Sequence, residues 1–246
     1  MVHCTVNMIR SLARTTPRQQ KRDVTFDRIT ETAMRALARG GLDSLTMQKL
    51  ATELGFAVGA LYRYFPGKDG IIVAVQRRII ETIREELAAA LKRTDEHLAH
   101  GQKLDSRRTA LLRLWVMAQV YEAMARSRPT EFGLLSMTLG DPRQLVQDVD
   151  ASQVVPPMVA LFALVTELFT AATDAGALAP GDPARRTVVL WTSVHGALQL
   201  RKLERFALGA LDAAELLDEA VSTLLVGWGA SPAEVKAMRT RAQRLR

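Results

Sequence analysis

The chain has 246 residues, 48% of them apolar, enough for a sizeable core and too many for a globally disordered segment. Its single cysteine, Cys4, excludes an intrachain disulfide and a cysteine metal cluster, in keeping with a reducing compartment. The net charge of +7 is uneven: residues 1–70 carry 11 basic and 6 acidic side chains, 71–230 carry 17 and 19, and 231–246 carry 5 and 1.

A basic front end on a nearly neutral body suits a polyanion partner, and it equally suits a solubilising arm and tail. Residues 1–22 read as a flexible basic arm with no sustained apolar block, so no signal peptide is expected and the expected location is the cytoplasm. The periodicity Phe26, Ile29, Ala33, Leu37 predicts a first helix over 26–39, with Thr25 as N-cap and Gly40-Gly41 as stop. A second helix starts at Thr46 and ends at Gly55, and a third, short one covers Ala57 to Tyr64. Pro66-Gly67 break the chain before a long helix from Asp69 to Leu91. Residues 95–105 are polar and read as a loop. Its two histidines, His97 and His100, are three apart and offer a conceivable metal pair, but Asp95 and Glu96 are more simply solvent-facing.

Helical spacing resumes from Ser106 to Ala125, and a shorter piece follows up to the Gly140-Asp141-Pro142 turn. The most apolar stretch, VVPPMVALFALVTELF, is interrupted by Pro156, Pro157 and Glu167; it reads as a buried helix over 155–172, with no membrane partner. Asp182 and Asp212 are the expected caps of two further helices, 183–206 and 212–227. The segment 231–246 is a basic tail, either a short helix or coil. No strand pattern competes, so the fold class is all-α: a three-helix head on a larger helical bundle.

The stretch LGFAVGALYRYFPGKDGI poses the functional question. Its glycines and Lys68 do not form GxxxxGK followed by Ser or Thr, and no strand precedes them, which argues against a nucleotide phosphate loop. Two short helices joined by a tight turn at Gly55 instead match a helix-turn-helix, whose second helix fits a DNA major groove. Over residues 25–72 the chain resembles the tetracycline-repressor (TetR-like) family of transcriptional regulators: Ile29, Ala33, Gly41, Leu50-Ala51, Gly55, Gly59, Leu61-Tyr62, Phe65 and Lys68-Asp69 stand at that family's spacing.

The resemblance implies double-stranded DNA as partner, a dimer, and a ligand-binding body. It places Thr25, Thr46, Tyr62 and Lys68 on phosphates, makes 57–64 the recognition helix, and leaves Arg63 between a guanine and a phosphate. Ala57, Val58 and Gly59 head that helix and offer only apolar contacts, such as thymine methyls. Arg18, Lys21 and Arg22 are candidates for a minor groove. The implied domains are the arm 1–22, the DNA-binding head 23–68, a ligand-binding and dimerisation body 69–230, and the tail.

In the body, methionines and aromatics suit an adaptable apolar cavity for a small lipophilic or aromatic effector. The candidate lining is Trp115, Met117, Tyr121, Met124, Phe132, Met137, Met158, Phe162 and Phe169, with Arg113, Glu122 or Glu167 as polar contact. WTSVHGALQL is similar to a stretch found in part of the family, which puts Trp191, His195, Gly196 and Leu198 at a homodimer interface. No nucleophile-base pair or carboxylate pair is evident by spacing, so no catalytic residue, metal or cofactor is assigned. The expected function is a ligand-released repressor; the alternatives are a helical enzyme or carrier, or a structural DNA binder without effector.

Overall fold

Apolar residues recur every three or four positions through nearly the whole chain, and all regular structure among the described residues is helical. The structure is a computed structural model that describes residues 16–101, 103–140, 153–206 and 212–245, without side-chain detail at 137–140 and 204–205. It divides into two compact units at Val75 and Gln76.

The first unit holds α1 (Pro17–Ser44), α2 (Met47–Leu54), α3 (Val58–Leu61) and the first turns of α4 (Lys68–His100). α1 starts earlier than the periodicity predicts: Thr16 is its N-cap, accepting from Gln19 N at 3.2 Å, and Pro17 occupies the first turn. Thr25 is therefore no cap but an interior residue whose hydroxyl donates to Lys21 O at 2.8 Å. Arg18, Lys21 and Arg22 lie exposed on helix rather than in a loose arm, while residues 1–15 of that arm lie outside the described residues. Gly41, at φ 64°, kinks α1 instead of ending it, and Ser44 Oγ closes the last turn by donating to Ala36 O and Gly41 O at 2.6 and 2.7 Å.

Thr46 caps α2 as expected, accepting from Lys49 N at 3.2 Å. Gly55 ends it in the left-handed region at φ 69°, which lets Phe56 N donate to Ala51 O at 2.8 Å. α3 is a single turn, shorter than expected, followed by a turn at 62–64. Ile29, Ala33, Leu37, Leu50, Ala51, Leu61 and Phe65 form the core of this unit, and Phe26 packs on Phe65 with ring centroids 4.6 Å apart.

In the second unit α4 continues to His100, past the expected loop, because Ala90, Leu91, Thr94 and Leu98 keep a buried stripe. There follow α5 (Ser106–Ser127), α6 (Pro129–Gly140), α7 (Val155–Asp174), α8 (Pro183–Gln199), a 3₁₀ segment (Leu200–Phe206), α9 (Ala213–Gly227) and α10 (Pro232–Gln243). The tightened 3₁₀ segment replaces the end of the expected 183–206 helix. Asp141 and Pro142 of the expected turn lie outside the described residues. Asp182 and Asp212 cap α8 and α9, each accepting two backbone N–H bonds of 2.8 to 3.1 Å.

α8 packs between α7 and α9, and α5 packs against α7 and α10. The basic tail thus contains a docked helix: Val235, Met238 and Ala242 are buried, and Gln119 of α5 donates to Ala242 O and accepts from Gln243 N, both at 3.1 Å. α7 has the length and apolarity of a membrane span, with mean hydropathy 1.7. It is only one-sidedly buried, through Val165, Leu168, Phe169 and Ala172, while Val155, Val159 and Glu167 are exposed.

Candidate DNA-binding head and effector pocket

The turn after α3 brings Tyr62 and Arg63 to the surface, because Leu61 is the residue that anchors α3 in the core. Tyr62 is 52% exposed, and Arg63 is exposed without a hydrogen bond or ion pair to a described residue. Ala57, Val58 and Gly59 lie beside them, exposed and apolar, with open space where a Gly59 side chain would sit. Thr46 keeps its hydroxyl on Lys49 N, at the front of α2. Lys68 donates to Leu42 O at 2.9 Å, so one of its three donors ties α4 to α1 and two are left. Arg28 lies over the Phe56 ring at 5.7 Å and Arg39 pairs with Glu53 at 2.6 Å, so these two cations hold the head together.

The body contains an apolar pocket of about 50 Å³. Four helices line it: Ile83 and Leu87 from α4, Met117 and Tyr121 from α5, Phe162 and Val165 from α7, and Leu190 and Trp191 from α8. Of the expected lining, Met117, Tyr121 and Phe162 are there. Trp115, Met124, Phe132 and Phe169 are core residues instead; Phe169 meets Trp228 edge-on at 5.4 Å. Met158 is half-buried and outside the lining, and the Met137 side chain lies outside the described residues. The three candidate polar contacts are elsewhere: Arg113 pairs with Asp95 at 2.7 Å, Glu122 with Arg126 at 3.5 Å, and Glu167 faces solvent.

Of the residues expected at an interface between copies, Trp191 belongs to this pocket's wall, and His195 is buried against two wall residues, Trp191 and Tyr121. Trp191 stacks on His195, with ring centroids 5.2 Å apart, and tilts over Phe162 at 5.5 Å. His195 is buried: Nδ1 lies 2.7 Å from the Tyr121 hydroxyl and Nε2 lies 3.3 Å from Ser136 Oγ, which itself donates to Phe132 O at 2.9 Å. Leu198 is also buried within its own chain, leaving Gly196 as the exposed member of the expected set. Burial holds the His195 imidazole below its usual range and pushes the Tyr121 phenol up, the latter opposed by the Trp191 indole N–H on the same oxygen.

Two family models match the chain. "Bacterial regulatory proteins, tetR family" covers residues 29–75, and "Tetracyclin repressor-like, C-terminal domain" covers residues 114–224. The chain belongs to the tetR family of bacterial regulatory proteins.

Among its relatives in this family, the HTH-type transcriptional repressor DrrR1 of Streptomyces coeruleorubidus is 33% identical over 75 residues, covering 30% of this chain and 28% of the relative. The chain thus matches under a third of that relative's length. Solved structures carry the likeness of fold further. SmeT, the repressor of the Stenotrophomonas maltophilia multidrug efflux pump SmeDEF, aligns at TM-score 0.54 and 16% identity, over 82% of this chain and 89% of SmeT. RolR in complex with resorcinol aligns at TM-score 0.56 and 18% identity, over 90% of this chain and 96% of RolR. The head of this tetR-family chain was legible in its motif. The contributions of α4 and α8 to the pocket were not, because Ile83, Leu87 and Leu190 look like any other core residue in the sequence.

Proposed function

We propose that this tetR-family chain is a transcriptional repressor that binds a palindromic operator as a homodimer in the cytoplasm and is released by a small lipophilic or aromatic molecule. The observation that carries the reading is the pairing of an exposed Tyr62 and an Arg63 with no partner among the described residues, on a helix-turn-helix, with an apolar pocket in the body. The head is assigned to residues 23–68 and the ligand-binding body to 69–230. Tyr62, Lys68 and Thr46 set register on phosphates, as hydroxyls, ammonium groups and helix N-termini do. Arg63 has the free fork needed for a guanine, and Ala57, Val58 and Gly59 can lie close against the groove floor. Thr25 keeps a place in the contact set only through α1's exposed face, its hydroxyl being turned to Lys21 O.

The dimer is assigned to the outer faces of α8 and α9, where Gly196 allows close approach beside the exposed Val188, Val189 and Val226. A ligand acts by preferring one of two body conformations and so shifting the population away from the DNA-competent dimer. Among the described residues the pocket wall presents no convergent acid and base, which favours binding over catalysis. That RolR, with the same fold, is seen with resorcinol supports an aromatic effector. The test is fluorescence anisotropy on DNA flanking the chain's own gene, with and without lipophilic aromatics. Specific binding lost on ligand addition is expected. Uniform, salt-sensitive binding to all DNA would overturn the repressor reading.

A further inference from the structure

The two hydroxyls in the pocket wall, those of Tyr121 and Thr187, have their hydrogens already committed. Ser136 donates to Phe132 O, so it accepts from His195 Nε2–H, and His195 Nδ1 must then accept from the Tyr121 hydroxyl. Burial keeps the imidazole neutral and this arrangement intact. The Tyr121 oxygen retains lone-pair capacity but has no proton to give. The second hydroxyl in the wall, Thr187, behaves alike. Thr187 donates to Pro183 O at 3.0 Å, Thr166 donates to Phe162 O at 2.8 Å, and the two hydroxyls lie 3.0 Å apart. Two protons among three acceptors leave Thr187 with no donor for a guest. Among the described residues, no charged side chain lines the pocket.

We propose that this pocket selects neutral aromatic molecules carrying a hydroxyl or N–H donor, which Tyr121 Oη or Thr187 Oγ1 accepts. The inference rests on the reading of the pocket as the effector site. Among the described lining residues a carboxylate finds no countercharge and no free hydroxyl proton, and a ketone finds no hydroxyl to donate to its oxygen. The ring lies against Trp191 and Phe162. Its admission needs expansion, since the space of about 50 Å³ is well below the roughly 150 Å³ that holds a benzene ring. Met117 is the unbranched side chain in the wall best able to yield.

The experiment is calorimetric titration of the full-length protein with 4-ethylphenol, its donor-free isostere 4-ethyltoluene, and 4-ethylbenzoate. 4-Ethylphenol is expected to bind at least tenfold more tightly than either of the others. Tyr121→Phe should reduce that margin without weakening 4-ethyltoluene. His195→Leu, which frees the Tyr121 proton, should strengthen binding of 4-ethylacetophenone at least fivefold. Equal binding of 4-ethylphenol and 4-ethyltoluene overturns the donor rule while leaving the effector pocket standing. Binding of none of the probes overturns the pocket reading and this inference with it. Circular dichroism of both variants confirms that they are folded when compared.

Discussion

Arg63 and Tyr62 are neighbours in the turn after α3, yet they are expected to do different work. If Arg63 reads a guanine through its fork, Arg63→Ala costs about 1–3 kcal/mol on the matched site and relaxes preference at that base pair. Competition assays on matched and singly mismatched operators measure this; equal losses on both would move Arg63 to the phosphates. Tyr62→Phe should weaken all sequences alike, because a phosphate contact carries no sequence information. His195 gives a pH prediction. Its folded pKa is depressed by burial below the ordinary 6.5, so above pH 7 both states are neutral and the group is silent. As the pH falls below 6.5 the unfolded chain takes the proton first, and stability declines by at most about 1.4 kcal/mol per pH unit towards the folded pKa. Glu131 has the opposite sign, its carboxyl being raised by burial, so it recovers stability as the pH falls towards 4.5. Denaturation of wild type and His195→Gln between pH 7.5 and 5.5 separates the two: the variant should lack the histidine decline. Nothing local in WTSVHGALQL says that His195 turns inward, because its partners Tyr121 and Ser136 come from α5 and α6.

At the scale of elements, caps and glycines explain where the helices of the head stop. Gly55 needs its left-handed φ of 69° and has open space around it, so Gly55→Ala costs conformational energy alone, about 1–2 kcal/mol. Gly59 lies inside α3 with equally open space, so Gly59→Ala should stabilise by about 0.5–1 kcal/mol. Urea denaturation of the two variants should show these opposite signs; matching losses would mean that the Gly59 backbone itself is strained. Thr46, Asp182 and Asp212 were readable as caps because each cap is set within three or four residues. Thr25 was misplaced for the same reason inverted: a plausible local cap was overridden by a better start, Thr16-Pro17, one stretch upstream. The docking of α10 was hidden by its charge, although Val235, Met238 and Ala242 sit at helical spacing.

For the whole molecule, the test of assembly is the outer face of α8 and α9. Val189→Glu places a charge on that face without touching the pocket wall, and it should convert a dimer to monomers in sedimentation experiments. Loss of the second head should then lower operator affinity by about 10²–10⁴-fold. A dimer that survives Val189→Glu would move the interface elsewhere. The amino-acid sequence by itself determined the all-helical class and the helix-turn-helix, since these follow from periodicity, caps and turn glycines acting over a few residues. Only the tertiary structure decided which apolar side chains enclose a cavity and which fill the core, and that Trp191 belongs to the cavity wall with His195 buried against it. The physical reason is that apolar spacing says a residue is buried but not what it is buried against: that depends on which helices meet, and α4, α5, α7 and α8 are brought to one pocket from across more than a hundred residues of chain.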